Sequence, residues 1–503
     1  MAERKSVLLV TVDCLRADHC GFMGYPRPTT PFLDSLATES FVFPSAIVAG
    51  VPTYYSFPAI LASRYPLALG REVVGLAVRE SNLASAFHDD GYATAFFGAA
   101  NPYLSPQFGY DFGFDTFCDF LDHDLTPVAN SANDSANTTV TGDLNRALAT
   151  AAHKIPLLGA VYDELYFQYC QRWAASSARS FDELRRFPAA DVIVDRAQSW
   201  IDSLGQRPSF LWLHFMDPHA PYYPTEQSLE LLGERLTPSR ATYLNESWNR
   251  SDIGSRRLRR YRRDATALYD AGIRWVDAQL SRLAETLRRT GHWENCILAF
   301  TADHGEEFLD HEGRYHAPAL SEELLHVPLL LRAPGTPKRE VYKHPFSLLH
   351  LAPTLLDAAG TPIPAEFQGE SHWIKIKIGD AWTEPAIAEC VAGCTNPFRV
   401  EQRRASRRLA IHDAKYKLVL KFDTDSEDFF DLEADSKERS PLPDHIAKPE
   451  RHRLLEAAVA HLRRSTHPRD SESYLRTRLR EFALYPASIA TSARTHAAAS
   501  RVG

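Results

Sequence analysis

Long apolar runs are missing from the 503 residues, and none reaches the roughly 18 that a membrane-spanning helix needs. The opening residues, MAERK, lead straight into SVLLVTV with no signal-peptide h-region or cleavage site, which predicts a cytoplasmic protein. Cysteine is sparse. The seven present are scattered and odd in number, so they form neither a disulfide framework nor a CxxC zinc site. Excess positive charge is absent too, and a net charge of −8 argues against nucleic-acid binding as the main identity. No internal repeat is found. With 44% hydrophobic and 24% charged residues, the chain has an ordinary globular composition and is long enough for one large domain with a smaller appendage.

What is present centres on Cys296–His316, CILAFTADHGEEFLDHEGRYH. Ile297 to Thr301 is a short apolar, β-branched and aromatic run that reads as a buried strand. Asp303 and His304 come directly after it, and ligands collect at the carboxyl ends of strands in open α/β sheets. Carboxylate beside imidazole suits a divalent metal; an acid-rich surface turn is the alternative.

Three more segments repeat this placement. Ser6–Val12 is a strand-length apolar run ending in Asp13, and Phe210–Phe215 ends in MDPHAPYYP, which puts His219 in a proline-punctuated loop. Ser56–Ala62 predicts a helix with Pro58 in its first turn, and Thr53 stands just ahead of it, where free N–H groups and the positive dipole end favour an anion or alkoxide. A plain N-cap is the compatible alternative for Thr53. Leu33–Glu39, Ser81–Asp90 and Asp264–Arg289 read as helices, the last with Leu268, Trp275, Leu280, Leu283 and Leu287 near one stripe. Ala93–Phe97 and His326–Arg332 read as strands. This rhythm implies a doubly wound, mostly parallel α/β sheet flanked by helices.

The expected division is a catalytic domain over 1–380, with a polar and helical insertion at about 120–200, and a C-terminal antiparallel α+β subdomain over 381–445. A helical extension over 446–503 completes the chain. LAIHDAKYKLVLKF reads as an antiparallel strand pair and SEDFFDLEADSKERSPL as a turn-rich closure.

Six segments, in order, carry a family resemblance: LLVTVDCLRAD, PTTPFLDSLATESFVF, HFMDPHAPY, FTADHGEEFLDH, VPLLLRAPG and DFFDLEADSKE. Over most of residues 5–445 the chain resembles the sulfatase family of the alkaline phosphatase superfamily. The resemblance implies an alkaline-phosphatase-like fold and metal-dependent ester chemistry. It breaks at the family's C-x-P-S-R, whose first residue becomes formylglycine about thirteen residues before a Y-P pair. Counting back from Tyr65-Pro66 reaches Thr53, with Phe57 at the arginine position. T-x-x-S-x-P is instead similar to the threonine-nucleophile phosphoethanolamine and glycerol-phosphate transferases.

That likeness implies Asp13, Thr53, Asp303 and His304 as metal ligands, and His219 and His316 as catalytic residues around the phosphate, beside the nucleophile Thr53. Cys14 stands where sulfatases often have a second Asp, and His304 where they have Asn, which moves the expected metal from calcium or magnesium towards zinc or manganese. The family's active-site lysine is missing, and Asn101 near that place reads first as a loop cap and second as a substrate contact.

The expected function is hydrolysis or transfer of phosphate-type esters. The expected partner is a small anionic ester, such as one on a glycan or lipid headgroup, and neither nucleic acid nor a membrane span is expected. Sulfate-ester hydrolysis and a non-catalytic binding protein are the rival readings.

Overall fold

A computed structural model describes residues 4–121 and 180–465, apart from 72, 251, 337, 338, 381 and 444. Most of the expected 120–200 insertion and the end of the C-terminal extension lie outside the described residues. The apolar runs form an eight-stranded mixed sheet. Its order is Glu340–Val341, Phe41–Val42, Leu329–Arg332, Cys296–Ala302, Ser6–Val12, Ser209–Phe215, Ala93–Gly98, Thr116–Cys118. From Cys296–Ala302 to Thr116–Cys118 the strands run parallel, whereas Leu329–Arg332 runs antiparallel to Cys296–Ala302.

The central strands are buried throughout, which is why they read as unbroken apolar runs and do not alternate. One covering layer is the 28-residue helix Arg262–Arg289 with Ala190–Ser203 beside it. The stripe expected to face inward, Leu268, Trp275, Leu280, Leu283 and Leu287, is buried. A second layer comprises Thr53–Ala62, Leu83–Asp89 and Leu351–Ala359, which pack on one another. Asn82 caps the second of these with a capping box, so that helix starts after Asn82 and not at Ser81.

Two expectations need correction. His326–Arg332 is two strands, because Pro328 has no N–H to donate to a ladder. His326–Val327 pairs with Ala46–Ile47, and Leu329–Arg332 joins the main sheet. The supposed turn-rich closure begins as a strand, Ser426–Asp431, the last of a four-stranded antiparallel sheet with Ala386–Val391, Arg407–His412 and Tyr416–Lys421. Its adjacent Phe429 and Phe430 both find apolar cover, in two different cores, so no alternation marked it in the sequence. The helix Lys448–Ser465 lays Leu454, Leu455, Ala458 and Leu462 on Leu409, Ile411, Leu418 and Leu420 of this sheet.

Candidate active site

The strand register assembles the site. Val12 lies opposite Phe215 on one side and Ala302 on the other, so the residues just beyond these three strands share one edge. Asp13 and Asp303 therefore come side by side, and the loop after Phe215 brings His219 to the same edge. Thr53 arrives from the second helical layer, where it is the first residue of Thr53–Ala62 and not, as expected, ahead of the helix. Pro58 accordingly sits in the helix interior and not in its first turn.

Asp13, Asp303 and His304 offer ligand atoms that all lie within 4.8 Å of one another. His304 Nδ1–H donates to the Gly305 carbonyl at 2.9 Å, which turns Nε2 inward. Nε2 lies 3.4 Å from Asp303 Oδ2, 3.8 Å from Asp13 Oδ1 and 3.2 Å from Thr53 Oγ1. Burial, helped by the nearby His316, pushes this imidazole down to about 3, so it is neutral, as a metal ligand must be. Gly305 is required by space: a Cβ there would lie 1.9 Å from the Glu323 carbonyl oxygen.

Asp303 Oδ1 accepts from the amides of Cys14 at 3.3 Å and His304 at 3.0 Å, but its buried Oδ2 has no hydrogen-bond partner. Burial, then the Asp13 carboxylate, push the Asp303 carboxyl well above the usual range. Two adjacent buried carboxylates, an unpartnered oxygen and an inward neutral imidazole are a donor set that fits a divalent cation.

All four expected ligand residues are thus brought together, and both expected catalytic histidines stand beside them. The His219 and His316 rings are 5.0 Å apart, and His316 is 4.6 Å from the His304 ring. A cavity of about 460 Å³ opens over the cluster, with Thr53, Asn101, His219 and His316 in its wall. Asn101 caps its loop as expected, its Oδ1 accepting from Tyr103 N at 3.0 Å; its Nδ2 also donates to Asp13 Oδ2 at 2.8 Å.

Three residues at the site had no assigned role. The Cys14 thiol donates to Asp13 Oδ1 at 2.9 Å and lies 3.2 Å from His316 Nδ1. Burial, then Asp13, raise this thiol well above its usual range, and Cys14 also offers its sulfur within 4.8 Å of His304 with His316 and of Asp13 with His219. Glu306 is fully buried with Oε1 3.5 Å from His316 Nδ1. Burial alone would lower His316, but Glu306 outweighs it and holds the imidazole above its ordinary value.

His214 ends a buried chain: Trp212 Nε1 donates to Thr11 Oγ1 at 2.9 Å, Thr11 Oγ1 is 2.9 Å from His214 Nδ1, and His214 Nε2 faces Asp13 Oδ2 at 3.4 Å. The one signal for it was a histidine inside the apolar strand FLWLHF. A further Glu307–His311–Glu323 group reads as an ion pair, since the hydrogen bond to Glu323 at 2.7 Å raises His311 to about 9.

Comparison with known proteins bears on the family and the fold. Residues 311–465 match the family described as N-sulphoglucosamine sulphohydrolase, C-terminal. The arylsulfatase of Clostridium perfringens is 25% identical over 480 residues, covering 87% of this chain and 90% of the relative. The choline-sulfatase of Rhizobium meliloti is 28% identical over 265 residues, 49% of each chain. The crystal structure of the phosphonate monoester hydrolase of Agrobacterium radiobacter superposes with a TM-score of 0.65 at 20% identity, over 91% of this chain and 96% of that one, a likeness of fold alone. Residues 5–361 match the family described as Sulfatase, a span that includes Asp13, Thr53, His219, Asp303, His304 and His316. It makes this chain a sulfatase-family enzyme of the alkaline phosphatase superfamily.

Proposed function

We propose that the protein is a metal-dependent hydrolase or transferase of phosphate-type esters that works through a covalent ester on Thr53. The observation that carries this reading is the Thr53 hydroxyl, 3.2 Å from His304 Nε2 at the start of a buried helix, beside the paired Asp13 and Asp303. A threonine cannot be converted to the formylglycine aldehyde, so the hydroxyl itself must serve. Asp13, Thr53, Asp303 and His304 would hold the cation, with zinc or manganese favoured by the imidazole in an otherwise oxygen set. A divalent cation there lowers the pKa of a hydroxyl and offsets charge on the non-bridging oxygens.

The residues then divide the work. Thr53 gives up its hydroxyl proton to water and Oγ1 bonds to phosphorus as the bond to the leaving oxygen breaks. His219 and His316 face the charged oxygens, and one of them gives a proton to the departing oxygen. Water or an acceptor alcohol then takes the phosphoryl group and restores the threonine hydroxyl.

Sulfate-ester hydrolysis is the second reading, favoured by the names of the curated relatives. A panel of p-nitrophenyl phosphate, phosphodiester, phosphonate and sulfate, run on protein with measured metal content, separates the two. Turnover of phosphate-type esters with zinc or manganese bound is expected. Turnover of sulfate alone favours the second reading, calcium alone and still bound in Asp303→Ala overturns the ligand assignment, and no turnover of any ester points to a binding protein.

A further inference from the structure

A second cavity, of about 450 Å³, lies where the segments around Ile47 and His326 meet the C-terminal sheet, and it shares no described lining residue with the reaction cavity. The C-terminal side contributes His412, Leu432, Lys437 and Arg439.

Five acids stand in the wall, and each already has a cation. Asp18 and Asp310 lie 2.8 and 2.7 Å from Arg16, and Glu322 lies 2.9 Å from the fully buried Lys417. Glu323 is 2.7 Å from His311, and Glu433 is 3.2 Å from Lys415. The side chains of Lys437 and Arg439, by contrast, have no hydrogen bond or ion pair with any described residue. Glu438 between them takes a left-handed conformation, φ 50°, with its carboxylate turned inward to Lys417 at 2.7 Å, and the two exposed cations stand at the cavity rim. The charge left unmatched here is positive.

Deeper in, His412 is 4% exposed and neither ring nitrogen has a hydrogen-bond partner. Nε2 stands 3.4 Å from Glu322 Oε1 without hydrogen-bond geometry. A buried polar ring is rarely left so. His326 also lines the cavity, and its Nε2 is 2.7 Å from the Pro44 carbonyl. A carbonyl can only accept, so Nε2 carries the proton and Nδ1 is left as an acceptor. Burial holds this imidazole below its ordinary value, in keeping with the neutral ring. Glu322, His326 and His412 do not bring three ligand atoms within 4.8 Å of one another, so they are not a metal site.

We propose that this cavity binds a small hydroxylated organic anion of the sugar-phosphate type, with its charged group on Lys437 and Arg439 and its hydroxyls on His412 and His326. An ammonium and a guanidinium side by side suit a phosphate group. The imidazole nitrogens exchange hydrogen bonds with hydroxyls, and Ile47 and Leu432 supply apolar lining of the kind small-molecule cavities of this size have. The site is separate from the reaction cavity, and the proposal does not depend on which ester is cleaved there.

The test uses the full chain carrying Thr53→Ala, so that no ligand is consumed, and glucose 6-phosphate as the probe. Amide hydrogen exchange should slow in peptides covering 408–414 and 432–440 as the probe saturates. Lys437→Ala with Arg439→Ala should weaken that saturation roughly tenfold or more, the scale of lost charge-assisted hydrogen bonds, and His412→Phe should weaken it with the rim intact. Glucose and inorganic phosphate should each protect these peptides only at concentrations at least about tenfold higher. Protection that survives the paired rim substitution overturns the proposal, as does protection confined to peptides of the reaction cavity. Inorganic phosphate acting at the same concentration as glucose 6-phosphate shows a plain anion site and overturns the part given to the histidines. Each of these failures leaves the ester-cleaving reading intact, because ester turnover by the protein with Thr53 in place is measured separately.

Discussion

Thr53 and Ser56 are the two hydroxyls near the helix start, and their surroundings separate them. Thr53 lines the cavity, whereas Ser56 is fully buried and its Oγ donates to the Thr53 carbonyl at 3.1 Å. Thr53→Ala should lower turnover by about a thousandfold or more, as loss of a covalent nucleophile does. Ser56→Ala should cost at most about tenfold, or about 1.4 kcal/mol of barrier. Mass spectrometry of the trapped intermediate, on a peptide covering Val51–Arg64, should find the ester on an otherwise unmodified Thr53; a label on Ser56 would move the chemistry to the serine.

His214 makes a separate prediction at the same scale. The Thr11 hydroxyl receives the Trp212 N–H and lies 2.9 Å from His214 Nδ1 and 3.3 Å from the Leu213 carbonyl, so the His214 ring is held with Nε2 facing Asp13. A buried imidazole 3.4 Å from Asp13 Oδ2 would steady that carboxylate if Asp13 holds the cation as proposed. His214→Ala should weaken metal retention by roughly ten- to a hundredfold in a chelator competition, with His214→Gln recovering part of it. Equal retention in all three proteins would reduce His214 to core packing.

At the scale of elements, one residue ties the C-terminal sheet to the segments on either side of the helix Thr53–Ala62. Glu389, on Ala386–Val391, accepts from Leu67 N at 2.9 Å, lies 3.1 Å from His461 of Lys448–Ser465 and 3.6 Å from Arg407, while its amide donates to the Ala49 carbonyl at 2.9 Å. Burial alone would raise this carboxyl, but Arg407 and then His461 outweigh burial and hold it down to about 2. The stability this lends is complete above the ordinary value near 4.3 and is lost as pH falls through about 2, a difference of about 3 kcal/mol. Urea unfolding should show Glu389→Gln less stable than wild type by about that amount at pH 7, with the gap closing towards pH 2. A gap that stays constant with pH would mean that the charge of Glu389 is not what stabilises the junction.

For the whole molecule, the metal is expected to act as a folding ligand. Asp13 and Asp303 stand just beyond neighbouring buried strands, where burial and then the Asp13 carboxylate disfavour the ionised form of Asp303 and a cation would favour it. Exhaustive chelation should abolish turnover and lower Tm, and zinc or manganese at a hundred times its Kd should return about 2.7 kcal/mol of stability. Asp303→Ala should remove most of the bound metal and make Tm insensitive to chelator. A Tm unchanged by chelation in the parent protein would show that the fold does not depend on the ion.

The sequence by itself determined the parallel core, the amphipathic helix over Arg262–Arg289 and the strand-end placement of Asp13, Asp303 and His219, because these depend only on local periodicity and on the residues at the end of each apolar run. The same local reading singled out Thr53 and His304, and a resemblance of motifs added His316 and the expected role of each. Other features depended on groups far apart in the chain. That Asp13 meets Asp303 required the Val12–Ala302 register, and the placing of the His214 ring required Thr11 on the adjacent strand. Thr395 reached the cavity only because the C-terminal loop packs back on Tyr54 and Tyr103, which stand far earlier in the chain. The split at Pro328 and the strand Ser426–Asp431 were likewise decided by which neighbours offered a ladder or a core. Periodicity records which face of an element is apolar. Which carboxylate, imidazole or ring stands opposite is set by register and packing, and those exist only in the folded chain.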